Sequence, residues 1–432
     1  MNFAASEKLF FYLNSKWKSP VFSMHFEFRK DIDFDKFKEA LRKTLVIFPR
    51  MKSQPVVDED GHIGIIENDN DVPVYYDDGK PKMLGTEETG YYLFRCAIDG
   101  KKLRVNIFHA LGDARMMTFF LKQVFLYYLE QTENVDISSY VITKEEARGK
   151  EYTESLVDKA EEYLSKKKGL KAMQEKDMRP AFFADEGIEY LSTPKACGLE
   201  LSWDSEALSK LVHKYNTTPL VLIHTLLAQV YLEIYGCADE VIRCGFAVDL
   251  RGRLNSKSQA NFGYDASMVY EKQWKDRPLE EQFVLVGEAL RKALDLERMS
   301  QNIKEQEDYA RAVVSMVTLG GERMEALLAE KLSRHETTYF ISNLAKTDFM
   351  QDSFDYLKSF RFLPIPFLNT VDYYMSSFGD KGRIFEVKNY RSTAVFERLK
   401  DKLEKLGLNC EIIETGLFEN DRMDVSLIKT IH

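Results

Sequence analysis

The sequence has few cysteines and no cysteine pattern. Its five cysteines, Cys96, Cys197, Cys237, Cys244 and Cys410, are scattered, and no two of them have the C-x-x-C spacing. An odd number at irregular spacing gives no support for a disulfide framework or a zinc ribbon. The histidines, cysteines and carboxylates also lack the spacing of metal ligands. We therefore predict reduced thiols and no metal site.

A long apolar run is also missing. No stretch approaches the roughly 20 apolar residues of a transmembrane helix. The longest apolar-rich segment, Pro219 to Tyr235, is interrupted by His224, Gln229 and Glu233, which favours a buried helix. The N-terminal residues have no basic segment followed by an apolar stretch and a cleavage site. These absences predict a cytoplasmic protein without a transmembrane segment.

Basic residues are in the minority, with 60 Lys and Arg against 69 Asp and Glu and a net charge of −9. Because nucleic-acid binders normally present a basic face to phosphate, we expect no nucleic-acid partner. Two catalytic motifs are absent as well. The sequence has no G-x-S-x-G nucleophile elbow, and Gly320-Gly321 is followed by Glu322-Arg323 instead of the Lys-Ser/Thr of a phosphate loop.

Apolar residues, by contrast, are abundant. They make up 44% of the 432 residues, enough for large cores, and a chain of this length normally forms more than one domain. In the first half, Val21 to Phe28 alternates as a half-buried strand, and Asp33 begins a helix that Pro49 stops. Two further strands flank the turn Asp99-Gly100 as a β-hairpin.

The second half repeats this interleaving of strands and helices. Strands are predicted near residues 197–203, 240–247, 267–270, 337–342, 372–376 and 383–388, and helices over 279–298, 322–333 and 392–406. A charged stretch from about residue 143 to 184 indicates a surface helix and a linker. The fold class is therefore α/β or α+β with two lobes, each a mixed sheet with flanking helices, over residues 1–185 and 186–432.

One histidine has the setting of a positioned base. His109 follows a strand in which Leu103, Val105 and Ile107 alternate, and a long helix with the apolar stripe of an amphipathic helix begins just after Asp113. A stiff strand holds such a side chain in place, and imidazole has an unperturbed pKa near 6.5. The segment predicts a general base for a hydroxyl or amine, although H-x-x-x-D alone is a weak motif.

The segment from His109 to Asp113 resembles the H-x-x-x-D-G signature of the chloramphenicol-acetyltransferase-like superfamily, which includes condensation domains, plant BAHD acyltransferases and wax ester synthases. Three other segments agree with it: the N-terminal part through LVIFPRMKS, Val248 to Leu254 followed by Asn261-Phe262-Gly263, and Phe340 to Leu344. The last of these is similar to the S-N-L-G strand of the alcohol acetyltransferase branch. The resemblance covers nearly the whole chain.

The resemblance implies an acyltransferase that moves an acyl group directly from a thioester to an alcohol or amine, in a channel between the two lobes. His109 would be the base, and Asp113 would be structural and paired with Arg251. Acyl-CoA would be a co-substrate, with no permanently bound cofactor. Ser342 or Asn343 would donate a hydrogen bond to the thioester oxyanion, where such help is worth most, or else bond only to backbone.

Three positions depart from the family pattern. Ala114 and Ala345 stand where the family has glycine, and Tyr264 stands where F-G-N has asparagine. If the backbone at residue 114 needs a positive φ, we expect strain there, because a Cβ disfavours that conformation.

Two other hypotheses stay open at this point. The same motif fits a condensation-type transferase that takes its acyl group from an acyl carrier protein. The departures also fit a member of the superfamily that has lost activity and acts as a binding protein.

Overall fold

The structure of the protein is a computed structural model that describes residues 3–12, 14, 19–170, 172, 177, 179–182, 196–236, 241–316, 336–347, 349, 354–363, 371–388 and 390–430. Its helices are α1 Ala5–Tyr12, α2 Phe34–Ile47, α3 Ala114–Glu133, α4 Lys144–Ala147, α5 Lys150–Thr153, α6 Leu156–Ser165, α7 Ser205–Lys214, α8 Pro219–Ile234, α9 Arg251–Leu254, α10 Leu279–Ala293, α11 Leu296–Met316 and α12 Ala394–Lys405.

The strands fall into two large sheets and two small ones. They are β1 Val21–Phe28, β2 Ser53–Val57, β3 Ile63–Glu67, β4 Val74–Tyr76, β5 Met83–Leu84, β6 Phe94–Asp99, β7 Lys102–Phe108, β8 Ala196–Asp204, β9 Ile242–Asp249, β10 Gly263–Tyr270, β11 Tyr339–Lys346, β12 Leu357–Leu363, β13 Val371–Phe378, β14 Lys381–Lys388, β15 Cys410–Phe418 and β16 Arg422–Met423. The predicted mixed α/β fold class is confirmed.

The first sheet has the strand order β12-β1-β7-β6-β4. The strand predicted over Val21 to Phe28 is confirmed as β1, and β6 and β7 form the predicted hairpin, with Gly100 at a φ of 54° in its turn. Asp33 caps α2 by accepting a hydrogen bond from the Lys36 N–H, and the helix ends before Pro49, as the sequence predicts. β7 is therefore the middle strand of the first sheet.

The second sheet has the order β10-β9-β11-β13-β14-β8-β15. β11 runs parallel to both β9 and β13, and the remaining pairs are antiparallel. All six strands predicted in the second half are confirmed, whereas β12 and β15 were not predicted. The helix predicted over 279–298 is instead two helices, α10 and α11, because Asp295 caps a new start by accepting from the Arg298 N–H.

Some of the predicted features lie outside the described residues. They are the helix over 322–333, Cys237, Gly320-Gly321 and the proposed lobe boundary at 185. The predicted buried helix is α8, with eleven buried residues. Among the described residues, no helix alone has the length and apolarity to cross a membrane, and only α7 and α8 taken together, at a bend of 84°, meet the criteria of length and composition.

The two sheets do not divide the chain at a single point. β12, from the second half, pairs with β1 and forms an edge of the first sheet. Asp421, near the C-terminus, makes a buried two-point ion pair with Arg95 of β6, at 2.8 and 3.0 Å. The first sheet is therefore completed by segments more than 200 residues later in the chain.

A buried carboxylate joins the two sheets. Glu200 of β8, which is 1% exposed, accepts from Arg361 of β12 at 2.7 Å and from Arg383 of β14 at 3.0 Å. Because β12 belongs to the first sheet and β8 and β14 to the second, this ion triad links the two layers. A space remains between the layers on the side of β7, β10 and β11, and His109 faces it.

Candidate active site

His109 lies where β7 ends. The chain turns through a short 3-10 segment, His109–Leu111, and Gly112 before Asp113 begins α3. The His109 N–H donates to the Pro20 carbonyl at 2.8 Å, which continues the pairing of β1 with β7. The strand end and the helix start predicted around the motif are thus both present.

The His109 imidazole is held between two aromatic rings. It stacks on Phe10 at 4.8 Å with an interplanar angle of 15°, and the Phe22 ring meets it edge-on at 5.3 Å. Nδ1 is buried and has no partner beyond the residue's own backbone among the described residues. Burial lowers the pKa of His109, although the charges of Asp265 and Asp113 oppose this. The imidazole is therefore harder to protonate than an ordinary histidine, and its residue lines the space between the sheets.

That space is a cavity of about 490 Å³ between the two sheets. Phe22 and His109 line it from the first sheet, and residues of β10 and β11 line it from the second. Among the described residues its acidic lining is Glu7, Asp113, Asp249, Asp265, Glu307 and Asp372. Arg115 is the basic side chain that lines it. The cavity has the size of a small-molecule site, and four of these six carboxylates, Glu7, Asp113, Asp249 and Glu307, form ion pairs with arginines.

Asp113 and Arg251, predicted as a pair, are in contact although 138 residues separate them. Arg251 donates to both carboxylate oxygens of Asp113, at 3.1 and 2.8 Å. The same oxygens accept from the N–H of Met116 at 2.9 Å and of Phe262 at 2.7 Å. Both oxygens are therefore occupied by groups other than the His109 ring.

The electrostatics of Asp113 follow from these bonds. Burial alone would raise its pKa, but the Arg251 charge and the hydrogen bonds outweigh burial, so the pKa lies below its usual value. Arg251 also donates to Asp249 at 2.9 Å and to the carbonyls of Ser258 and Ala260. The pair thus ties the start of α3 to the loops around α9 and β10.

Arg50 is a site residue that the sequence did not reveal. Its guanidinium donates to the carbonyls of Leu111 at 2.7 Å and Ala110 at 3.0 Å, inside the turn that begins with His109. It also pairs with Glu7 at 2.6 Å. Glu7 in turn accepts from the Asn261 N–H at 3.0 Å, which connects α1 to the second sheet. No local pattern marks Arg50, because its partners are backbone atoms far away in the sequence.

Ser342 and Asn343 lie in β11 and both line the cavity. The Asn343 side-chain oxygen accepts from the Ala345 N–H at 2.8 Å, and the pairing of β11 with β13 is irregular between residues 343 and 346. Ala345 has a φ of 55°, so this position, where the family has glycine, is the strained one. The structure brings both residues to the cavity that His109 faces.

Ala114 and Tyr264 are the other two positions that depart from the family pattern. Ala114 is the first residue of α3 and does not have a positive φ, so the expected strain at this position is wrong. The Tyr264 side chain lines the cavity, and its hydroxyl accepts from the Asn302 side chain of α11 at 2.9 Å. Neither residue distorts the backbone near His109.

No family model and no curated protein matches the sequence. Solved structures match in fold. Polyketide synthase associated protein 5 from Mycobacterium tuberculosis has a TM-score of 0.63 at 14% identity, covering 93% of this chain and 96% of that one. TRI101 of F. graminearum, complexed with coenzyme A and T-2 mycotoxin, has a TM-score of 0.59 at 15% identity, covering 94% and 98%.

The trichothecene 15-O-acetyltransferase TRI3 from Fusarium sporotrichioides has a TM-score of 0.59 at 12% identity, with 94% of each chain covered. At these identities the likeness concerns the fold alone. The chain shares its fold with these proteins, and this is the fold that the resemblance to the chloramphenicol-acetyltransferase-like superfamily implies.

Proposed function

We propose that the protein is an acyltransferase that moves an acyl group from a thioester, acyl-CoA, to an alcohol or amine, with His109 as the general base. The observation that carries the proposal is the His109 ring itself. It lies at a strand end, clamped between Phe10 and Phe22, and it opens onto the cavity between the sheets. A base must be both fixed in position and neutral, and this ring is both.

The reaction would follow from this geometry. The acceptor O–H or N–H gives its proton to Nε2 as the oxygen or nitrogen attacks the thioester carbonyl. The tetrahedral intermediate then collapses, the C–S bond breaks, and the imidazolium returns the proton to the leaving thiolate. The Ser342 hydroxyl or the Asn343 amide would stabilise the oxyanion, and no acyl-enzyme forms. Asp113 and Arg251 act as positioning residues, since both Asp113 oxygens are already occupied.

The pH dependence of catalysis tests the state of His109. Because burial lowers its pKa, the ring is less protonated at pH 6.5 than an ordinary histidine, whose pKa is near 6.5. We expect kcat/KM to fall in acid with an inflection below 6.5, since the protonated ring cannot accept a proton. Steady-state rates measured from pH 5 to 8 would show this, and an inflection above 6.5 would contradict it.

Turnover with defined donors tests the reaction class. We expect thiol release from acetyl-CoA or a longer acyl-CoA in the presence of alcohols or amines, monitored by a thiol reagent. An acyl carrier protein loaded with the same acyl group is the second donor. Turnover of the carrier alone would favour the condensation-type alternative. No turnover of any thioester with any acceptor would favour a binding protein instead.

A further inference from the structure

Tyr264, the second residue of β10, lines the same cavity as His109 and is 8% exposed. Its position relative to the motif is fixed by the two residues before it. The Phe262 N–H donates to Asp113 at 2.7 Å, and a Cβ added to Gly263 would lie 3.7 Å from the Asp113 Cβ. Where the family pattern has asparagine, this chain therefore has a phenol ring beside the motif.

The Tyr264 hydroxyl accepts one hydrogen bond and has its own proton left to donate. Asn302 of α11 donates its side-chain amide to the Tyr264 oxygen at 2.9 Å. Burial raises the pKa of Tyr264, and the charge of Asp265 adds to this effect, so the hydroxyl keeps its proton at neutral pH. Within the described part of the chain, no group accepts that proton. A buried O–H without an acceptor costs free energy, which a bound molecule that accepts the hydrogen bond removes.

One strand separates Tyr264 from the residues that we propose for the thioester oxyanion. The second sheet has the order β10-β9-β11, so β10, with Tyr264, and β11, with Ser342 and Asn343, are two strand spacings apart, about 10 Å. Tyr264 pairs with Val248 of β9, which lines the cavity between them. A molecule that attacks the thioester carbonyl and extends across β9 therefore comes to the Tyr264 side of the cavity.

We propose that Tyr264 selects acceptors that carry a second oxygen, of an ether, hydroxyl or carbonyl group, besides the reacting alcohol or amine. The inference rests on the proposed acyltransferase function and names the class of acceptor for it. The Tyr264 hydroxyl donates to the second oxygen, and the hydrogen bond from Asn302 fixes the direction in which it donates. An acceptor with a methylene group at that position leaves the hydroxyl without a partner, and a site built for a hydrogen bond discriminates against such an analogue.

The test compares kcat/KM for pairs of acceptors that differ in one atom. Each ω-methoxy alcohol in a series of increasing length is paired with the unbranched alkanol of the same length, which has a methylene group in place of the ether oxygen. At the best length, we expect the wild type to prefer the ether by about 10-fold. Tyr264→Phe removes the hydroxyl and keeps the ring, so the preference should fall to near one while KM for acyl-CoA stays unchanged.

The matched control is Tyr128→Phe. The Tyr128 hydroxyl also belongs to a buried residue and also accepts one hydrogen bond, from the Asp33 N–H at 2.9 Å. Tyr128 is not among the described residues that line the cavity. This variant should therefore keep the wild-type preference for the ether, and loss of the preference in both variants would show a general effect of packing and overturn the inference.

The outcomes separate this inference from the proposed function. Turnover that depends on His109 but shows the same ether preference in wild type and Tyr264→Phe, or none in either, would overturn the inference while the acyltransferase stands. A raised KM for acyl-CoA in Tyr264→Phe would assign the hydroxyl to the donor and overturn it as well.

Binding of the same alcohols can also be measured without turnover, by saturation-transfer NMR. If no thioester reacts, a preference for the ether that depends on Tyr264 would support the selection by this hydroxyl and count against the proposed function. Equal binding of ether and alkanol to the wild type, or no binding of either, would overturn the inference.

Discussion

Replacing His109 with alanine is expected to lower kcat/KM for acyl transfer by about 10²- to 10⁴-fold, the usual contribution of a general base. Without the ring, no group fixed at the strand end accepts the acceptor proton. Nδ1 has no partner beyond the residue's own backbone among the described residues, so the substitution breaks no hydrogen bond to another side chain. We expect this loss in the rate of acyl transfer, together with a separate loss of stability, because the ring packs against Phe10 and Phe22. Thiol release under saturating and limiting acceptor measures it.

The matched control for this prediction is His213→Ala. His213 is exposed on α7 and contacts only the Ser209 carbonyl of its own helix among the described residues. It should retain wild-type activity. A second variant, His109→Gln, fills part of the space between Phe10 and Phe22 and guards against a packing effect. Wild-type turnover in both His109 variants would remove the proposed base.

Breaking the Asp113–Arg251 pair is expected to have the largest effect on stability. Removing one partner of a buried pair leaves the other charge without compensation, at a cost of about 3–5 kcal/mol. Asp113→Ala also removes the cap of α3 and the acceptor for the Phe262 N–H. Urea unfolding of Asp113→Ala, Arg251→Ala and the double variant measures the free energy of unfolding. The double variant should be destabilised by less than the sum of the single ones.

The control for the buried Asp113–Arg251 pair is an ion pair that is exposed to solvent. Lys304 and Asp308 form an ion pair on α11 in which both side chains are about half exposed, so Asp308→Ala should change the free energy of unfolding far less than Asp113→Ala does. The pKa of Asp113 is lowered in the folded state, so its stabilising effect is present above its unfolded pKa and is lost as the pH falls through the folded one. The gap between wild type and Asp113→Ala should narrow in acid. Strictly additive single effects would show that the two residues do not act together.

The position of His109 was predictable because it depends on local patterns. The alternation of Leu103, Val105 and Ile107 marks a strand, and the apolar stripe after Asp113 marks a helix, so the junction between them follows from periodicity. The partner of Asp113 could not be predicted from local patterns. Nothing in the spacing of Arg251 reveals that contact, and only the likeness of its segment to a known family suggested it.

Other parts of the site were beyond sequence reasoning because they depend on distant backbone. Arg50 binds carbonyl oxygens, which every residue has, so no partner type in the sequence identifies it. We considered backbone strain at Ala114, but the positive φ occurs at Ala345.

The pairing of β12 with β1 has a consequence for synthesis. β7 is complete at residue 108, but β12 ends at residue 363, about 250 residues later. At ribosomal rates of about 5–20 residues per second, β1 has no strand on its outer side for roughly 10–50 s. During that time its apolar edge, rich in phenylalanine, is open to pairing with other chains. A separately expressed first half, which leaves this edge of β1 unpaired, is therefore expected to aggregate.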